Sequence, residues 1–320
     1  MLTRRLLLAA VPAAIAVKAQ AASDSFAIFL SGIWNEAQRA GISPAILRSA
    51  LAGLAPNQKV LERDSHQPEF TLTWAQYRRL LITDKRIAAG RAAVHDNFRL
   101  LGAVRDRFGV GPAVITGIWG LESSFGTQTG DFYVVDALAT LAWNGRRASF
   151  FRPELLAALR ILNDGDITPP GMTGSYAGAM GQPQFMPTSY LRYAVDFTGD
   201  GRRNIWTNRA DVLASIANYL AQCGWRSGQT WGQAVVLPAR FDTDAGRTMR
   251  RPLEDWARLG IRPLDGRWRA AADTSTAVLL PDGATGEAFV VYPNFAVIRR
   301  YNPSDFYALA VGLLGDNLVS

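Results

Sequence analysis

The spacing of apolar residues predicts helices over roughly the first two thirds of the chain. From about residue 24 to residue 230, apolar side chains recur mainly at three- and four-residue steps, which is typical of amphipathic helices. Ser43-Pro44 marks one helix start, since proline fits the first helical turn. Asp84 to Leu101 predicts a single amphipathic helix, whose apolar positions are Ile87, Ala88, Val94, Phe98 and Leu101. Pro169-Pro170-Gly171 predicts a loop.

After about residue 231 the pattern changes to short apolar runs separated by turn residues. The runs are Val235-Val236-Leu237, Ala277 to Leu280 and Ala288 to Tyr292. Asp265-Gly266 and Asp282-Gly283 lie between them and predict β-hairpins. Ser304 to Leu318 returns to helical spacing, with Ser304 as the predicted N-cap. We therefore expect a mainly α (α+β) protein with a small β-rich insert and no internal repeat.

These changes predict four segments. Residues 1–21 differ from the rest and are treated separately, and residues 22–100 form an N-terminal helical region. Residues 101–230 together with 300–320 form a helical core, and residues 231–299 form a small β-rich subdomain. A chain of 320 residues is long enough for one or two ordinary hydrophobic cores.

The first 21 residues have the layout of a cleaved export signal. Arg4 and Arg5 precede an uncharged run from Leu6 to Val17, and Ala19-Gln20-Ala21 supplies small residues for cleavage near Ala21. A membrane anchor is the alternative, but it requires about 20 apolar residues. The two arginines fit either a twin-arginine signal or a plain secretory one. We expect a periplasmic protein without a permanent membrane anchor.

Composition narrows the chemistry. Cys223 is the only cysteine, so no disulfide can form within the chain. The two histidines, His66 and His95, are too few for a zinc site with three histidine ligands. The predicted signal holds three basic and no acidic residues, so the net charge of +7 falls to +4 without it. A mild positive charge suits an anionic polymer such as cell wall. The sequence has neither a dense basic stripe nor a zinc-finger pattern, so nothing in it favours nucleic acid as the partner.

Glu122 is the candidate catalytic residue. It follows an uncharged apolar run from Pro112 to Leu121, and Gly126 is suited to end the helix in a left-handed conformation. Trp119 lies three residues before it on the same helix face. The negative end of the helix dipole and an apolar setting both oppose ionisation of a carboxyl, and so raise its pKa. The alternative is an ordinary surface glutamate at a helix end.

The sequence around Glu122 resembles the Glu-Ser-x-x-Gly signature of lytic transglycosylases and goose-type lysozymes. It is more specifically similar to the B family of lytic murein transglycosylases, in ordered blocks spread over about residues 70–315. The blocks are Ile118 to Gly126, Asn144 to Phe151, Gly174 to Gly181, Gln182 to Tyr190, Ala217 to Leu220 and Arg300 to Ala310. The resemblance implies a lysozyme-like catalytic core, formed by the helical segments 101–230 and 300–320. It also implies a monomer that acts on peptidoglycan glycan strands without a catalytic cofactor.

The resemblance implies that Glu122 serves alone as acid and base. It would protonate the oxygen between N-acetylmuramic acid and N-acetylglucosamine, then accept a proton from the C6 hydroxyl of the same muramic acid. That hydroxyl closes a 1,6-anhydro ring, and no water is consumed. Most glycosidases use two carboxylates instead. The alternatives are a muramidase that hydrolyses the same bond and a wall-binding protein without catalysis.

Matching positions also imply a set of substrate-binding residues. They are Arg146, Arg147, Ser175, Gln184, Phe185, Tyr219, Tyr301, Asn302 and Tyr307. Ser175 and Gln184 would lie near the cleaved bond, and Arg146 and Arg147 would bind carboxylates of the peptide stem. Tyr77 matches more loosely. For several of these residues a packing or solvated role is the alternative.

The segment that begins at Asp196 fits the start of a calcium loop. Oxygen ligands stand at positions 1, 3 and 5, a glycine at position 6 and a backbone carbonyl at position 7. The predicted ligands are Asp196, Thr198, Asp200, Arg202 and Asp211. Position 12 is Thr207, which cannot act as a bidentate carboxylate, so Asp211 is its substitute in an atypical, structural Ca²⁺ loop. The alternative is an Asp-Gly turn without metal.

Overall fold

The computed structural model of the protein describes residues 10–65, 72–241 and 245–319, and from residue 10 to residue 22 only the backbone. Arg4, Arg5 and His66 lie outside the described residues. The predicted export signal is therefore described only as backbone, from Ala10 onward. No helix in these ranges combines the length and apolarity of a membrane span.

Helices dominate the described ranges, as predicted. They are α1 (Ala10–Arg39), α2 (Pro44–Leu51), α3 (Gln58–Ser65), α4 (Trp74–Leu81), α5 (Asp84–Asp96), α6 (Phe98–Phe108), α7 (Pro112–Ser123), α8 (Val134–Trp143), α9 (Ala148–Asp164), α10 (Pro187–Tyr193), α11 (Arg209–Gln222), α12 (Leu253–Arg258), α13 (Pro293–Tyr301) and α14 (Asp305–Val319). The strands are β1 (Phe132–Tyr133), β2 (Thr173–Gly174), β3 (Gly232–Val236), β4 (Arg251–Pro252), β5 (Arg262–Pro263), β6 (Ser275–Leu279) and β7 (Ala288–Val291).

The chain divides into two compact units. Among the described residues, the first unit comprises 10–65, 129–192 and 199–204, and the second comprises 72–128, 193–198, 205–241 and 245–319. In the first unit, α8 and α9 pack together and the short β1–β2 ribbon joins α8. In the second unit, α7 packs along α14 and also contacts α5, α6 and α11. The four segments expected from the sequence stay a prediction.

Glycines let α7 and α14 approach backbone to backbone. A Cβ added at Gly117 of α7 would lie 2.4 Å from the carbonyl oxygen of Val311 in α14. One added at Gly315 would lie 2.3 Å from the carbonyl oxygen of Ala113. Real Cβ atoms do not approach oxygen so closely, so this crossing requires residues without side chains. The close packing fixes the C-terminal end of α7 relative to α14.

The sheet of the second unit is antiparallel, in the order β4-β6-β7-β3-β5. β6 and β7 form the hairpin predicted at Asp282-Gly283, with Val278 opposite Val290. Trp256 and Tyr292 are the largest side chains of its buried core. The hairpin predicted at Asp265-Gly266 is wrong, because β5 pairs with β3 rather than with the strand that follows the turn.

The single helix predicted from Asp84 to Leu101 is two helices, α5 and α6, which meet at Asn97. The side chain of Asn97 donates to the carbonyl oxygen of Ala93, so it competes with the helical hydrogen bonds. The predicted apolar stripe also fails at Phe98, which is 72% exposed. The buried position of α5 is Gly90, which has no side chain for a periodicity argument to detect.

Candidate active site

Glu122 is the penultimate residue of α7, and the chain reverses direction immediately after the helix. Ser124, Phe125 and Gly126 have φ angles of 48°, 59° and 85°, three consecutive left-handed residues. The sequence predicted this conformation for Gly126 alone. The hydroxyl of Ser123 accepts the N–H of Gly126 at 3.1 Å and donates to the carbonyl oxygen of Trp119 at 3.3 Å. This serine therefore stabilises a turn that places Glu122 at the end of the helix.

The ring of Phe125 packs against the helices beside this turn. A Cβ added at Gly120 or at Gly90 would lie 2.7 Å from atoms of this ring, so the two glycines form the notch that holds it. The ring also meets the indole of Trp119 edge-on, at 5.7 Å between centroids. The phenylalanine and the final glycine of the motif thus have physical roles in shaping the backbone beyond Glu122.

Within the described part of the chain, one side chain donates a hydrogen bond to the carboxyl of Glu122. The hydroxyl of Tyr307, in the first turn of α14, donates to Oε1 of Glu122 at 2.6 Å. Desolvation raises the pKa of Glu122 to about 7, and the hydrogen bond from Tyr307 opposes that rise. The residue keeps a partly exposed surface, whereas its carboxyl is closely surrounded. The group can therefore hold or release a proton near neutral pH.

Phenol groups surround this carboxyl within the second unit. Burial, and then the charge of Glu122, raise the pKa of Tyr77, Tyr301 and Tyr307, so all three stay protonated hydrogen-bond donors. The ring of Tyr219 lies 4.7 Å from that of Tyr301 and 4.4 Å from that of Tyr193, measured between centroids. Tyr193 did not emerge from the sequence, where only its nearness to the predicted calcium loop marks it.

Two further predicted residues contribute to the arrangement in different ways. Tyr219 is largely buried and donates its hydroxyl proton to the carbonyl oxygen of Arg300. Asn302 is exposed, and its Oδ1 accepts the N–H of Ser304 at 3.1 Å. The structure thus brings Glu122, Tyr219, Tyr301 and Tyr307 together in one unit, with Asn302 next to Tyr301 in the chain.

Ser175 and Gln184 belong to the first unit, where tight turns follow β2. The hydroxyl of Ser175 accepts the N–H of Ala179 at 3.1 Å. Gln184 has a φ of 52°, which is unusual for a residue other than glycine, and its amide donates to the carbonyl oxygens of Gly181 and Thr129 at 2.7 and 3.0 Å. A strained and well-anchored glutamine is what a binding site requires, since its orientation is fixed before a ligand arrives.

The remaining predicted binding residues of the first unit have internal partners. Arg146 and Arg147 both pair with the buried carboxylate of Asp64, at 3.2 and 2.5 Å. The guanidinium of Arg147 also lies 4.8 Å from the centre of the Phe151 ring. Phe185 is only 2% exposed, so its ring packs in the interior. Their contact with substrate stays a prediction.

The predicted calcium loop contains turns and oxygen-bearing side chains. In the second unit, Oδ1 of the buried Asp211 accepts the N–H of Phe197 at 2.9 Å, and the hydroxyl of Thr198 contacts Oδ1 of Asp196 at 3.4 Å. In the first unit, Oδ1 of Asp200 accepts the N–H of Arg202 at 3.0 Å. Within the described ranges, no three His, Cys, Asp or Glu side chains come close enough to hold a metal by themselves.

A carboxyl whose pKa is raised by burial is suited to act as the general acid of an enzyme that cleaves glycosidic bonds, as in lysozyme. Comparison with known proteins agrees with this class. Residues 25–316 match the family described as "Transglycosylase SLT domain", and the chain belongs to that family.

Characterised relatives extend over most of the chain. Membrane-bound lytic murein transglycosylase B of Escherichia coli (strain K12) is 37% identical over 249 residues, which are 76% of this chain and 66% of that protein. The chain thus spans just under two thirds of that relative. SltB3 from Pseudomonas aeruginosa, solved in complex with NAG-NAM-pentapeptide, is 42% identical with a TM-score of 0.89, covering 92% of this chain and 79% of that one.

A third relative is the Escherichia coli lytic transglycosylase Slt35, solved in complex with calcium. It is 32% identical with a TM-score of 0.76, and the match covers 92% of each chain. The similarity to these solved structures confirms the predicted fold class, which is a mainly α (α+β), lysozyme-like protein.

Proposed function

We propose that the protein is a lytic transglycosylase that cleaves the β-1,4 bond between N-acetylmuramic acid and N-acetylglucosamine in peptidoglycan. The observation that carries the proposal is the carboxyl of Glu122, which lies at the C-terminal end of α7 and accepts a hydrogen bond from Tyr307 at 2.6 Å. Burial raises its pKa to about 7, which suits a group that both donates and accepts a proton near neutral pH. Family membership supports the same substrate, because SltB3 was solved with a NAG-NAM-pentapeptide.

In this reaction the proton of Glu122 passes to the glycosidic oxygen while the bond between that oxygen and C1 of muramic acid breaks. The C6 hydroxyl oxygen of the same sugar then bonds to C1, and its proton passes to the Glu122 carboxylate. The products are a 1,6-anhydromuramic end and a free N-acetylglucosamine hydroxyl. Glu122 is regenerated as an acid, and no water enters. Tyr307 orients the carboxyl through its hydrogen bond.

The hydrolytic muramidase is the nearest alternative. A glycosidase with two carboxylates holds them about 5 to 9.5 Å apart, and a second negative charge so close raises the pKa of its neighbour. In a lytic transglycosylase Glu122 acts alone, and the C6 hydroxyl of the substrate replaces the second carboxylate and the water. The two reactions therefore differ in their products, which are anhydro ends for ring closure and reducing ends for hydrolysis.

We assign substrate contacts to two sets of residues. Phenol and amide groups of the second unit would meet the sugars near Glu122, and those residues are Tyr219, Tyr301, Asn302 and Tyr307. The residues of the first unit would bind N-acetyl groups and the peptide stem, and they are Arg146, Arg147, Ser175, Gln184 and Phe185. Among these residues, Gln184 is the best-supported substrate contact. Its backbone is held in a strained conformation, and two hydrogen bonds fix the orientation of its side-chain amide.

Purified sacculi test the proposal. We expect the wild-type protein to release anhydromuropeptides, identified by mass spectrometry as lighter by one water than hydrolysis products. We expect the Glu122→Gln variant to bind sacculi without releasing anhydromuropeptides. A wild-type digest without anhydro ends, or a Gln variant with wild-type yield, contradicts the proposal. A wild-type protein that binds sacculi without cleaving them indicates the non-catalytic alternative.

We propose a structural Ca²⁺ at the Asp196 loop, bound by Asp196, Thr198, Asp200, Asp211 and the carbonyl of Arg202. Carboxylate, hydroxyl and carbonyl oxygens are the ligands that Ca²⁺ prefers, and the relative Slt35 was solved with calcium. The ion would take no part in proton transfer. Ca²⁺ should raise the melting temperature of the chelator-treated protein, and Asp211→Asn, which keeps an acceptor for Phe197, should abolish that rise. No calcium-dependent change in the wild-type protein would contradict the site.

We place the protein in the periplasm, as a monomer that acts on glycan strands rather than on nucleic acid. The proposal rests on the signal-like sequence before Ala21 and on the location of the substrate. Cell fractionation with N-terminal sequencing tests it. A mature N-terminus near Ala22 supports it, and retention of Met1 on a cytoplasmic protein contradicts it.

A further inference from the structure

In the short helix α4, each of the first three backbone N–H groups donates a hydrogen bond to a side chain. The N–H groups of Trp74 and Ala75 donate to the two carboxylate oxygens of Asp282, at 2.6 and 2.9 Å. The N–H of Gln76 donates to the hydroxyl of Thr73 at 3.3 Å, and the amide oxygen of Gln76 accepts the N–H of Thr73 in return. Asp282 therefore caps a helix more than 200 residues before it in the chain.

A second carboxylate of the same hairpin loop holds the first side chain of α4. Trp74 is fully buried, and its indole N–H donates to Oε2 of Glu287 at 2.7 Å. Oε1 of Glu287 pairs with the guanidinium of Arg78 on the next helical turn. Both partners of that ion pair are more than 40% exposed, so it contributes little compared with the bond to the buried indole.

The buried Trp74 connects this loop to the phenol groups around Glu122. Its ring lies 6.3 Å from that of Tyr77 on the same helix and 5.6 Å from that of Phe306, which precedes Tyr307 in α14. The rings of Tyr77 and Phe306 are 5.7 Å apart. Tyr307, the next residue after Phe306, donates to Glu122 at 2.6 Å. Burial and then the charge of Glu122 raise the pKa of Tyr77.

An eight-residue helix has almost no stability of its own, so tertiary contacts must set its position. The tertiary hydrogen bonds at the N-terminus of α4 come from the hairpin loop, and α14 packs against the same helix. The carboxylate of Asp282 also complements the positive end of the helix dipole. Gly286 closes that loop, because a Cβ there would lie 2.9 Å from Cβ of Asp282. The loop is thus shaped to present both carboxylates to one helix.

We propose that the loop between β6 and β7 is a positioning element of the active centre, in which Asp282 and Glu287 hold α4 so that Tyr77 faces Glu122. Both carboxylates act through Tyr77. The inference rests on the proposed function, since Tyr77 matters only if Glu122 is the acid and base. It gives the small β-sheet a role in catalysis without any substrate contact of its own.

A double-mutant cycle on soluble glycan strands tests this role. Asp282→Ala and Glu287→Ala should each lower kcat/KM by about tenfold to a hundredfold, because small displacements of a reacting group are costly. In a Tyr77→Ala background the same substitutions should lower kcat/KM no further, since the residue they position is absent. Asp282→Asn and Glu287→Gln keep an acceptor and should retain most of the activity. Glu254→Ala, an exposed carboxylate on α12, is the matched control and should leave kcat/KM unchanged.

Additive losses in the Tyr77→Ala background would overturn the proposal, because the loop would then act independently of Tyr77. Full activity of both alanine variants would overturn it as well. If the alanine variants do not fold, Trp74→Phe replaces them, since it removes the indole N–H and keeps an aromatic ring. It should lower kcat/KM in the wild-type background and not in Tyr77→Ala. Failure of the proposed function is distinct: the wild-type protein itself would then release no anhydro products.

Discussion

Replacing Glu122 by Gln should change the stability of the protein in a pH-dependent way. Desolvation raises the pKa of Glu122 from its ordinary value of 4.5 to about 7 in the folded state. Each pKa unit corresponds to about 1.4 kcal/mol, so ionising Glu122 costs the folded protein about 3 kcal/mol more than the unfolded chain. The Gln side chain has no proton to lose and escapes that cost.

The sign follows from the raised pKa. Below pH 4.5 the carboxyl is protonated in both states, and its contribution to the free energy of unfolding is fully present. Between pH 4.5 and about 7 the unfolded chain releases the proton while the folded protein retains it, so the wild-type protein loses stability. The free energy of unfolding of Glu122→Gln minus that of the wild type should therefore grow by about 3 kcal/mol between pH 4.5 and pH 8.

Urea unfolding followed by tryptophan fluorescence, repeated across this pH range, measures the difference. Other titrating groups are common to both proteins and cancel. Glu254→Gln, the same substitution at an exposed glutamate, is measured alongside as the control. A Glu122→Gln difference that stays constant within about 0.5 kcal/mol would refute the desolvated carboxyl.

Two further substitutions test the surroundings of Glu122. Tyr307→Phe removes a hydrogen bond that lowers the pKa of Glu122, so the alkaline limb of the kcat/KM profile should move to higher pH; an unmoved limb would contradict the role of that bond. Gly117→Ala should destabilise the protein by about 3 kcal/mol in urea unfolding, because its Cβ would meet the carbonyl oxygen of Val311. Gly102→Ala, a helical position with open space around it, should instead stabilise by about 0.5 to 1 kcal/mol, and equal effects of the two would contradict the close crossing of α7 and α14.

Elements whose ends depend on local chemistry were predictable from the sequence. Ser43 accepts the N–H of Ile46 at the start of α2, and Ser304 accepts the N–H of Tyr307 at the start of α14, as their positions indicated. The hairpin of β6 and β7 follows from two short apolar runs and from the glycine between them at position 283, whose φ of 80° the turn requires. In each case the deciding interaction spans a few residues, so the pattern alone contains it.

Features decided by distant contacts were not predictable from local pattern. Asn97 divides α5 from α6 through a side-chain bond that helical periodicity does not register. The turn at Asp265 does not form a hairpin, because the strand before it, β5, pairs with β3. The capping of α4 by Asp282 joins residues more than 200 positions apart, and no periodicity argument reaches that far.

In the candidate site, too, the features set by local sequence were predictable and those set by distant contacts were not. The apolar run before Glu122 indicated a raised pKa from sequence, and the value of about 7 agrees with it. Tyr307, which donates a hydrogen bond to Glu122 from 185 residues later in the chain, was predicted as a site residue only through the resemblance to a family. The expectation that Arg146 and Arg147 bind the peptide stem did not include their shared partner Asp64, since charge pairing depends on the tertiary fold.

Digestion of purified sacculi in heavy-oxygen water tests the central claim most directly, because it follows the atom that distinguishes ring closure from hydrolysis. We predict that the new muramic ends are 1,6-anhydro, contain no heavy oxygen and require Glu122. Reducing ends that contain heavy oxygen at C1 would instead show that water attacks the sugar. That result would contradict the assignment of Glu122 as the sole acid and base of a lytic transglycosylase.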